Sequence, residues 1–448
     1  MLSGGTSQSL ALEPVTGFHS RSRGIPVVGG GGEERLILRP EQEPMADTPH
    51  SSLPGQPGHG MPGITSTTYD DALLGFLPSE QPAVDGEPET DNALWAVVFA
   101  GGIGSRFWPL STPERPKPLL RLVGDRPLIA DTLRRLQPLV PASRTLVLTS
   151  ADIADAIRAA IPELPEKNML VEPRPLGTAA ALAWGAQEII NRVGRNTVFC
   201  ALHADLSAQF EDEFRNTIRR AAAYAAKDDG RLVAIGARPT RPDTGFGYML
   251  GGAELEPGIS FAKGGACAVA RFVEKPGPLQ AEEFISDGAM WNAGIYCWQA
   301  GTVLDALEAN TTELADGLMY LTSGKVDRFF GMVQSISIER GLLERVDSLI
   351  CVPSSFGWDD VGTWACLRRV RELDDTGNGV IGDALLVDAE SNVVHTESGR
   401  VVVYGVNSLL VVSLPGVTFV TSLERAAELA PLFEALPKEL RRNPTAEL

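Results

Sequence analysis

The stretch Leu94-Trp95-Ala96-Val97-Val98-Phe99-Ala100-Gly101-Gly102-Ile103-Gly104-Ser105-Arg106-Phe107-Trp108-Pro109-Leu110-Ser111, followed shortly by Pro116-Lys117-Pro118, decides the reading of this chain. Its first six residues form an apolar run with the length of a buried strand. Three glycines come next, and without a Cβ their backbone N–H groups can approach an anion closely. Arg106 adds one positive charge and Lys117, eleven residues further on, adds a second. A strand entering a glycine-rich loop with two cations suits a nucleoside triphosphate. The loop is not a Walker A motif, because no Gly-Lys-Ser/Thr follows the glycines. It is not a dinucleotide fingerprint either, since Phe107-Trp108-Pro109 would not continue the helix that such a motif opens. Taken alone, Gly-Gly-x-Gly is also the composition of a tight turn after a strand.

The chain has 448 residues, room for two or three domains. A formal net charge of -18 argues against a general nucleic-acid binder, while leaving space for a local basic pocket. Five scattered cysteines, none in a Cys-x-x-Cys pair, read as reduced core residues of a cytoplasmic protein. No apolar run reaches the ~18 residues that span a bilayer, so no membrane partner is expected. Residues 1–91 are rich in Gly, Pro and Ser with almost no apolar periodicity, and read as a disordered tail. The tail lacks the apolar core of a signal peptide. Residues 71–77 suit one helical turn or a docking peptide, and Met45 and Met61 are candidate starts of a shorter chain.

From residue 93 the pattern alternates. Strands are expected over 144–149, 168–171, 196–202 and 232–236, and helices over 151–160, 178–190 and 208–226. Such alternation predicts an α/β fold whose sheet is mainly parallel and covered on both faces. Ligands then bind beyond the carboxyl ends of the strands. After residue 373 the texture changes to short valine-rich strands with Gly and Asn turns, expected over 380–382, 384–387, 392–395, 400–403, 409–413 and 417–421. They suggest a small C-terminal β-domain, a partial β-helix, over 374–448, closed by one helix over 423–435. The catalytic domain is then 92–373.

The opening loop resembles the signature of the sugar-1-phosphate nucleotidyltransferases, Gly-Gly-x-Gly-x-Arg-bulky-x-Pro followed by a lysine. The version with Phe107-Trp108-Pro109-Leu110-Ser111 and Pro116-Lys117 is most similar to the mannose-1-phosphate guanylyltransferases of that family. The resemblance implies a Rossmann-like nucleotide-diphospho-sugar transferase fold. It makes Arg106 and Lys117 the catalytic pair that binds the triphosphate and stabilises the transition state. Ala100, Gly101, Gly102, Gly104 and Ser105 become backbone contacts to the nucleotide.

Further motifs follow in the family's order. Glu172-Pro173…Gly177-Thr178-Ala179 resembles a stretch that holds the guanine, implying Glu172 and Thr178 as nucleotide contacts; Gly177 stands where the family usually has Asn. Thr178 or Gly177 also suits a plain helix cap. Ala204-Asp205 matches a metal-ligating aspartate, although an Asp at a strand end also suits a cap for a helix from Ser207, and His203 reads as structural. Gly247, within Thr244-Gly245-Phe246-Gly247-Tyr248, matches a glycine whose backbone touches the sugar. In Phe272-Val273-Glu274-Lys275-Pro276, Glu274 would accept from sugar hydroxyls and Lys275 reach the sugar phosphate; alone they are an exposed pair at a strand end. Asn292 offers a donor and an acceptor to a hexose hydroxyl. The stretch 337–344 resembles a helix that supports the pocket wall. Trp358-Asp359-Asp360-Val361-Gly362-Thr363-Trp364 implies Asp360 as the second ligand of Mg²⁺, a hard cation that a triphosphate requires.

The resemblance therefore implies transfer of GMP from GTP to α-D-mannose 1-phosphate, giving GDP-mannose and pyrophosphate. The substrates are the expected partners, and a homodimer is expected through the C-terminal domain. Two rivals stand beside it. One is a sister enzyme acting on glucose 1-phosphate with UTP or dTTP. The other is a catalytically silent paralogue that binds nucleotide sugar and regulates a partner.

Overall fold

The computed structural model describes residues 93–444 apart from Ile103, Asp228, Asp229 and Pro257. The expectations for the tail, including the turn at 71–77, lie outside the described residues. The strands of the first part are β1 (Trp95–Phe99), β2 (Thr145–Ser150), β3 (Met169–Glu172), β4 (Val198–His203), β5 (Leu206–Ala208), β6 (Leu232–Ala237), β7 (Gly247–Glu254), β8 (Cys267–Glu274), β9 (Met290–Gln299), β10 (Leu349–Pro353) and β11 (Trp358–Asp360). Helices α1 (Leu128–Leu136), α2 (Ala154–Ala160), α3 (Thr178–Arg192), α4 (Glu211–Ala225), α5 (Pro278–Ser286) and α6 (Ala300–Asn310) lie among them.

Nine strands form one sheet in the order β3-β2-β1-β4-β9-β6-β10-β8-β7. Strands β3, β2, β1, β4, β6 and β10 run the same way, while β9 and β8 oppose them. Alternate residues of β1 feed opposite faces, as the pleat requires. Val97 and Phe99 join a core with α3 and α6, whereas Ala96 and Val98 join one with α1, α2, α4 and α5. Covering both faces explains why these strands read as continuous apolar runs. The sequence-predicted strands and helices of this part appear within a few residues of their expected bounds.

One boundary moves for a structural reason that matters later. The helix expected from 208 begins at Glu211, because residues Leu206–Ala208 instead pair antiparallel with Trp358–Asp360. Asp205 is therefore followed by a strand and does not cap a helix. The segment 337–344 is also no ordinary helix: Glu339–Leu343 is a π-helical turn.

The C-terminal strands are β12 (Gly379–Ile381), β13 (Ala384–Val387), β14 (Val393–Thr396), β15 (Val401–Tyr404), β16 (Leu409–Leu414) and β17 (Val417–Ser422). Strands β12, β14 and β16 stack in parallel, β13 stacks on β15, and β17 turns back antiparallel to β16. Asn378 accepts from the backbone N–H of Asn392 at 2.9 Å, and Asn392 accepts from that of Leu409 at 2.9 Å, so side-chain amides tie successive coils together. The single closing helix expected over 423–435 is instead a 3-10 turn Arg425–Ala427 and a short helix Ala430–Ala435, with Lys438–Arg442 beyond. Pro431 lies in the first turn of the second piece, where its missing N–H and fixed φ start a helix but cannot continue one. Among the described residues no helix is long and apolar enough to cross a membrane.

Candidate active site

The carboxyl ends of β1 and β4 lie side by side in parallel register, Phe99 beside His203. Ala204 N–H donates to the Phe99 carbonyl at 2.9 Å, and the Thr149 hydroxyl to that of Ala100 at 2.9 Å. Ala100 is buried, while Gly101 and Gly102 beyond it are exposed, so the loop leaves the sheet facing solvent. Gly102 has φ +93 and Gly104 φ +73. A Cβ on Gly104 would collide with Cβ of Lys117, so glycine here lets the lysine pack directly on the loop. Ser105–Phe107 form one 3-10 turn that buries Phe107 and leaves Ser105 and Arg106 at the surface. Its end before Trp108-Pro109 fits the expectation that no helix continues there.

Lys117 reaches back to this corner. It is only 8% exposed, and its Nζ lies 2.5 Å from Asp205 Oδ2. Asp205 follows β4, and the pairing of Asp360 opposite Leu206 sets Asp360 next to it in space. A Cβ on Gly362 would lie 2.5 Å from Asp360 Oδ2 and 3.5 Å from Arg106 Nη1, so Arg106 faces the same corner. The two carboxyls are driven apart electrostatically. Burial alone would raise Asp205, but Lys117 and His203 overcome it and hold that carboxyl below its ordinary value. Burial, helped by the negative charge on Asp205, pushes Asp360 up against the opposing pull of Lys117 and Arg106. His203, expected to be structural, thus acts on both aspartates, and its ring packs 5.4 Å from that of Phe99.

Two adjacent half-buried carboxyls that repel each other are a donor set that fits a divalent cation. Among the described residues no group of three or more acidic, His or Cys side chains is arranged to hold a metal. Mg²⁺ does not need one, since it is commonly held by one or two carboxylates with phosphate oxygens completing the shell.

A second group lies where β7, β8 and β9 meet. A Cβ on Gly247 would fall 2.7 Å from Glu274 Oε2, so this glycine admits the carboxylate. Glu274 Oε1 accepts from Lys275 Nζ at 2.7 Å, and the Glu274 N–H donates to Glu344 Oε1 at 2.9 Å. Burial pushes the Glu274 carboxyl up; Lys275 opposes this, and Glu339 and Glu344 add to it. Asn292 Nδ2 donates to the Tyr296 hydroxyl at 2.9 Å, which donates in turn to Glu339 Oε1 at 2.9 Å. Burial and the Glu339 charge hold the Tyr296 phenol well above its ordinary value, so it stays a neutral donor. Tyr296 and Glu339 are polar partners that motif reading did not assign. A signal was present: residues 292, 294 and 296 occupy one face of a strand at period two. Trp358 Nε1 donates to the Ala293 carbonyl at 3.1 Å, so β11 brings this group next to the aspartate pair.

Glu172 and Thr178 lie at the end of β3 and the start of α3. Burial raises the Glu172 carboxyl to about 7. Thr178 is already engaged: its Oγ1 accepts from the Ile338 N–H at 2.9 Å. Gly177 has φ +81, and a Cβ there would lie 2.5 Å from the Ile336 carbonyl oxygen. The segment 336–338 thus packs on the backbone where a side chain would otherwise project, and only glycine fits.

Residues 95–376 match a family model described as nucleotidyl transferase. The chain is similar to mannose-1-phosphate guanylyltransferase ManC of Salmonella typhimurium strain LT2, with 31% identity over 78% of this chain and 74% of that one. It is 30% identical to mannose-1-phosphate guanylyltransferase of Escherichia coli strain K12, over 79% of this chain and 75% of that one. It also resembles the crystal structure of mannose-1-phosphate geranyltransferase from Thermus thermophilus, with a TM-score of 0.69 and 31% identity over 76% of this chain and 98% of that one.

Proposed function

This chain belongs to the nucleotidyl transferase family and is an enzyme of the mannose-1-phosphate guanylyltransferase kind, and from that premise we propose that it transfers GMP from GTP to α-D-mannose 1-phosphate. The observation that carries the proposal is the meeting of Arg106, Lys117, Asp205 and Asp360 beyond β1 and β4. An oxygen of the sugar phosphate bonds to the α-phosphorus of GTP. The bond from that phosphorus to the bridging oxygen breaks, and pyrophosphate leaves with the electron pair. The attacking oxygen is already anionic at pH 7, because a phosphate monoester has its second pKa at about 6. No general base is needed, and the work is positioning and charge stabilisation.

In this reading Arg106, Lys117 and the backbone of Ala100, Gly101, Gly102, Gly104 and Ser105 would face the triphosphate. Asp205 and Asp360 would hold Mg²⁺, which neutralises phosphate charge when bound. Glu274 and Asn292 would take sugar hydroxyls, with Lys275 toward the sugar phosphate and the Gly247 backbone against the ring. Glu172 would accept from the N1–H and amino group of guanine. Residues 92–373 serve as the catalytic domain and 374–448 as its C-terminal partner. The five buried, unpaired cysteines support a reducing, cytoplasmic setting. Exposed Leu385, Val402 and Tyr404 on β13 and β15 support a homodimer.

The test is pyrophosphate release with Mg²⁺ across GTP, ATP, UTP and dTTP against mannose 1-phosphate and glucose 1-phosphate. A dominant signal from GTP with mannose 1-phosphate is expected. A dominant signal from another pair would overturn the specificity and keep the chemistry. No release from folded protein that binds GDP-mannose would favour the silent paralogue.

A further inference from the structure

The loop between the two catalytic cations is gripped from outside the nucleotide-binding fold. Arg115, two residues before Lys117, forks onto Glu397, with Nη1 and Nη2 each 2.6 Å from a carboxylate oxygen. Glu397 lies just after β14, and its N–H donates to the Ser413 carbonyl at 2.9 Å. On the loop side Arg115 is not a free arm. Thr112 and Arg115 exchange backbone hydrogen bonds of 3.1 Å each, and the Thr112 hydroxyl also accepts from the Arg115 N–H. A displacement of Glu397 would therefore move the whole turn that leads into Lys117.

Two further attachments flank this one. Trp108, two residues after Arg106, donates from Nε1 to the Leu440 carbonyl at 3.1 Å and sets its ring edge-on to Phe419 at 5.5 Å. Beyond Lys117, the Leu122 carbonyl accepts from Arg371 Nε at 2.7 Å. Arg371 also donates to the Val394 carbonyl at 3.3 Å and to His395 Nδ1 at 3.2 Å. A guanidinium only donates, so Nδ1 is the acceptor and the ring proton sits on Nε2. That Nε2 lies 3.5 Å from Glu397 Oε1. Arg371 and His395 thus stand beside the Glu397–Arg115 pair, on the side of the C-terminal strands. Around it, Phe107, Leu110, Leu120 and Leu122 share an apolar cluster with Val393 and Leu410 of β14 and β16.

We infer that the C-terminal β-layer acts as a clamp on residues 104–122, with Glu397 and Arg115 as positioning residues that set where Arg106 and Lys117 meet the triphosphate. The inference rests on the reaction proposed above. Preorganised groups must be held within about 0.5 Å of the productive geometry, and the attachments at Trp108, Arg115 and Leu122 hold the loop that carries both cations. The Arg115–Glu397 pair is about one-third exposed on each side, so solvent screens it and its loss costs the fold less than the loss of a buried pair would. Its loss is then visible in catalysis without unfolding the chain.

The experiment uses the full chain. Glu397→Gln and Arg115→Ala are compared with wild type for kcat and for KM of each substrate in pyrophosphate release, alongside thermal melting. Hydrogen exchange of peptides covering 104–122 is followed in the same proteins. Each variant is expected to lower kcat/KM for GTP by about 10- to 100-fold, the scale for a misplacement of ~1 Å. KM for mannose 1-phosphate stays within about twofold, and the double variant is no worse than the poorer single one, as residues of one network behave. Exchange in 104–122 accelerates while that of β1 and β4 does not. Arg115→Lys keeps the charge but loses the two-pronged geometry, and reads the same loss if Arg115→Ala fails to fold. Full activity in both single variants, additive losses, or unchanged exchange in the loop would overturn the clamp. If wild type does not turn over GTP with mannose 1-phosphate, the proposed reaction fails on its own. Loop exchange then still decides: acceleration in Glu397→Gln upholds the clamp, and unchanged protection refutes it.

Discussion

Replacing Lys117 by Met removes one ammonium and keeps most of the stem that packs against Gly104. In the free protein that ammonium lies 2.5 Å from Asp205 and 5.6 Å from the centre of the Phe107 ring. Its first effect is on catalysis. Losing one preorganised donor to the developing charge lowers kcat by about 10²–10³, or ~3–4 kcal/mol. Its second effect is on Asp205, left with burial pushing its carboxyl up and without the Lys117 charge that opposed it. Removing one partner of a fully buried pair costs about 3–5 kcal/mol. The Asp205 side chain is 25% exposed, so about 1–3 kcal/mol is the fitting range, after the discount for solvent screening. That corresponds to a melting shift of several degrees, at ~2–4 °C per kcal/mol. The sign with pH follows. Wild-type Asp205 has a depressed value, so its contribution to stability is present above the unfolded value and lost as pH falls through the folded one. In Lys117→Met that contribution is lost and burial makes ionised Asp205 oppose folding, so the variant's deficit relative to wild type grows from acid to neutral pH. The assay is initial-rate pyrophosphate release at saturating GTP, mannose 1-phosphate and Mg²⁺, run well below the variant's melting temperature. A kcat loss under about tenfold would refute a catalytic role for Lys117 on that scale.

Three other outcomes follow from the same geometry. Asp360→Asn is expected to abolish Mg²⁺-dependent turnover yet raise the melting temperature of the ligand-free protein. The folded-state value of Asp360 is raised by burial and by Asp205, so its ionisation opposes folding once pH exceeds the unfolded value. The stabilisation should therefore grow from acid to neutral pH, and a melting series across that range checks it. Gly177→Asn, which would restore the family's usual residue, is expected to destabilise the chain by about 1–3 kcal/mol, because the side chain meets the Ile336 carbonyl at a strained φ. A denaturant titration measures this, and a stable, more GTP-selective variant would contradict it. Glu172, with its carboxyl raised to about 7, should bind guanine better as its charged form is populated. GTP affinity in calorimetry should then rise as pH increases through that value and flatten in Glu172→Gln.

Much of the fold was legible because it rests on local signals. The apolar run at 94–99, the glycines after it and the strand-helix alternation to residue 237 reflect burial on two faces and backbone freedom, which nearby residues encode. The motifs also named the residues that meet at the β1 and β4 ends. Their order along the chain did not say how they meet. Asp205 and Asp360 are about 155 residues apart, and only the antiparallel pairing of β5 with β11 makes them neighbours. That pairing also took residues 206–208 out of the expected helix, since a strand partner supplied from far along the chain outweighs local helix preference.

By itself, the sequence determined the class of fold, the glycine-rich loop after the first strand and the residue types available to it, because these follow from composition and short-range pattern. The tertiary structure alone decided three things. It made Gly177 obligatory by laying the Ile336 carbonyl against it, which no property of residue 177 announces. It gave the hydroxyl of Thr178 to Ile338 and placed Tyr296 between Asn292 and Glu339. And it joined Glu397 to Arg115 across 282 positions, so that the last strands bear on the first loop. The physical reason is common to all three. Sterics, hydrogen bonds and Coulomb interactions act over a few ångströms in space, and only the folded chain sets which distant residues come that close.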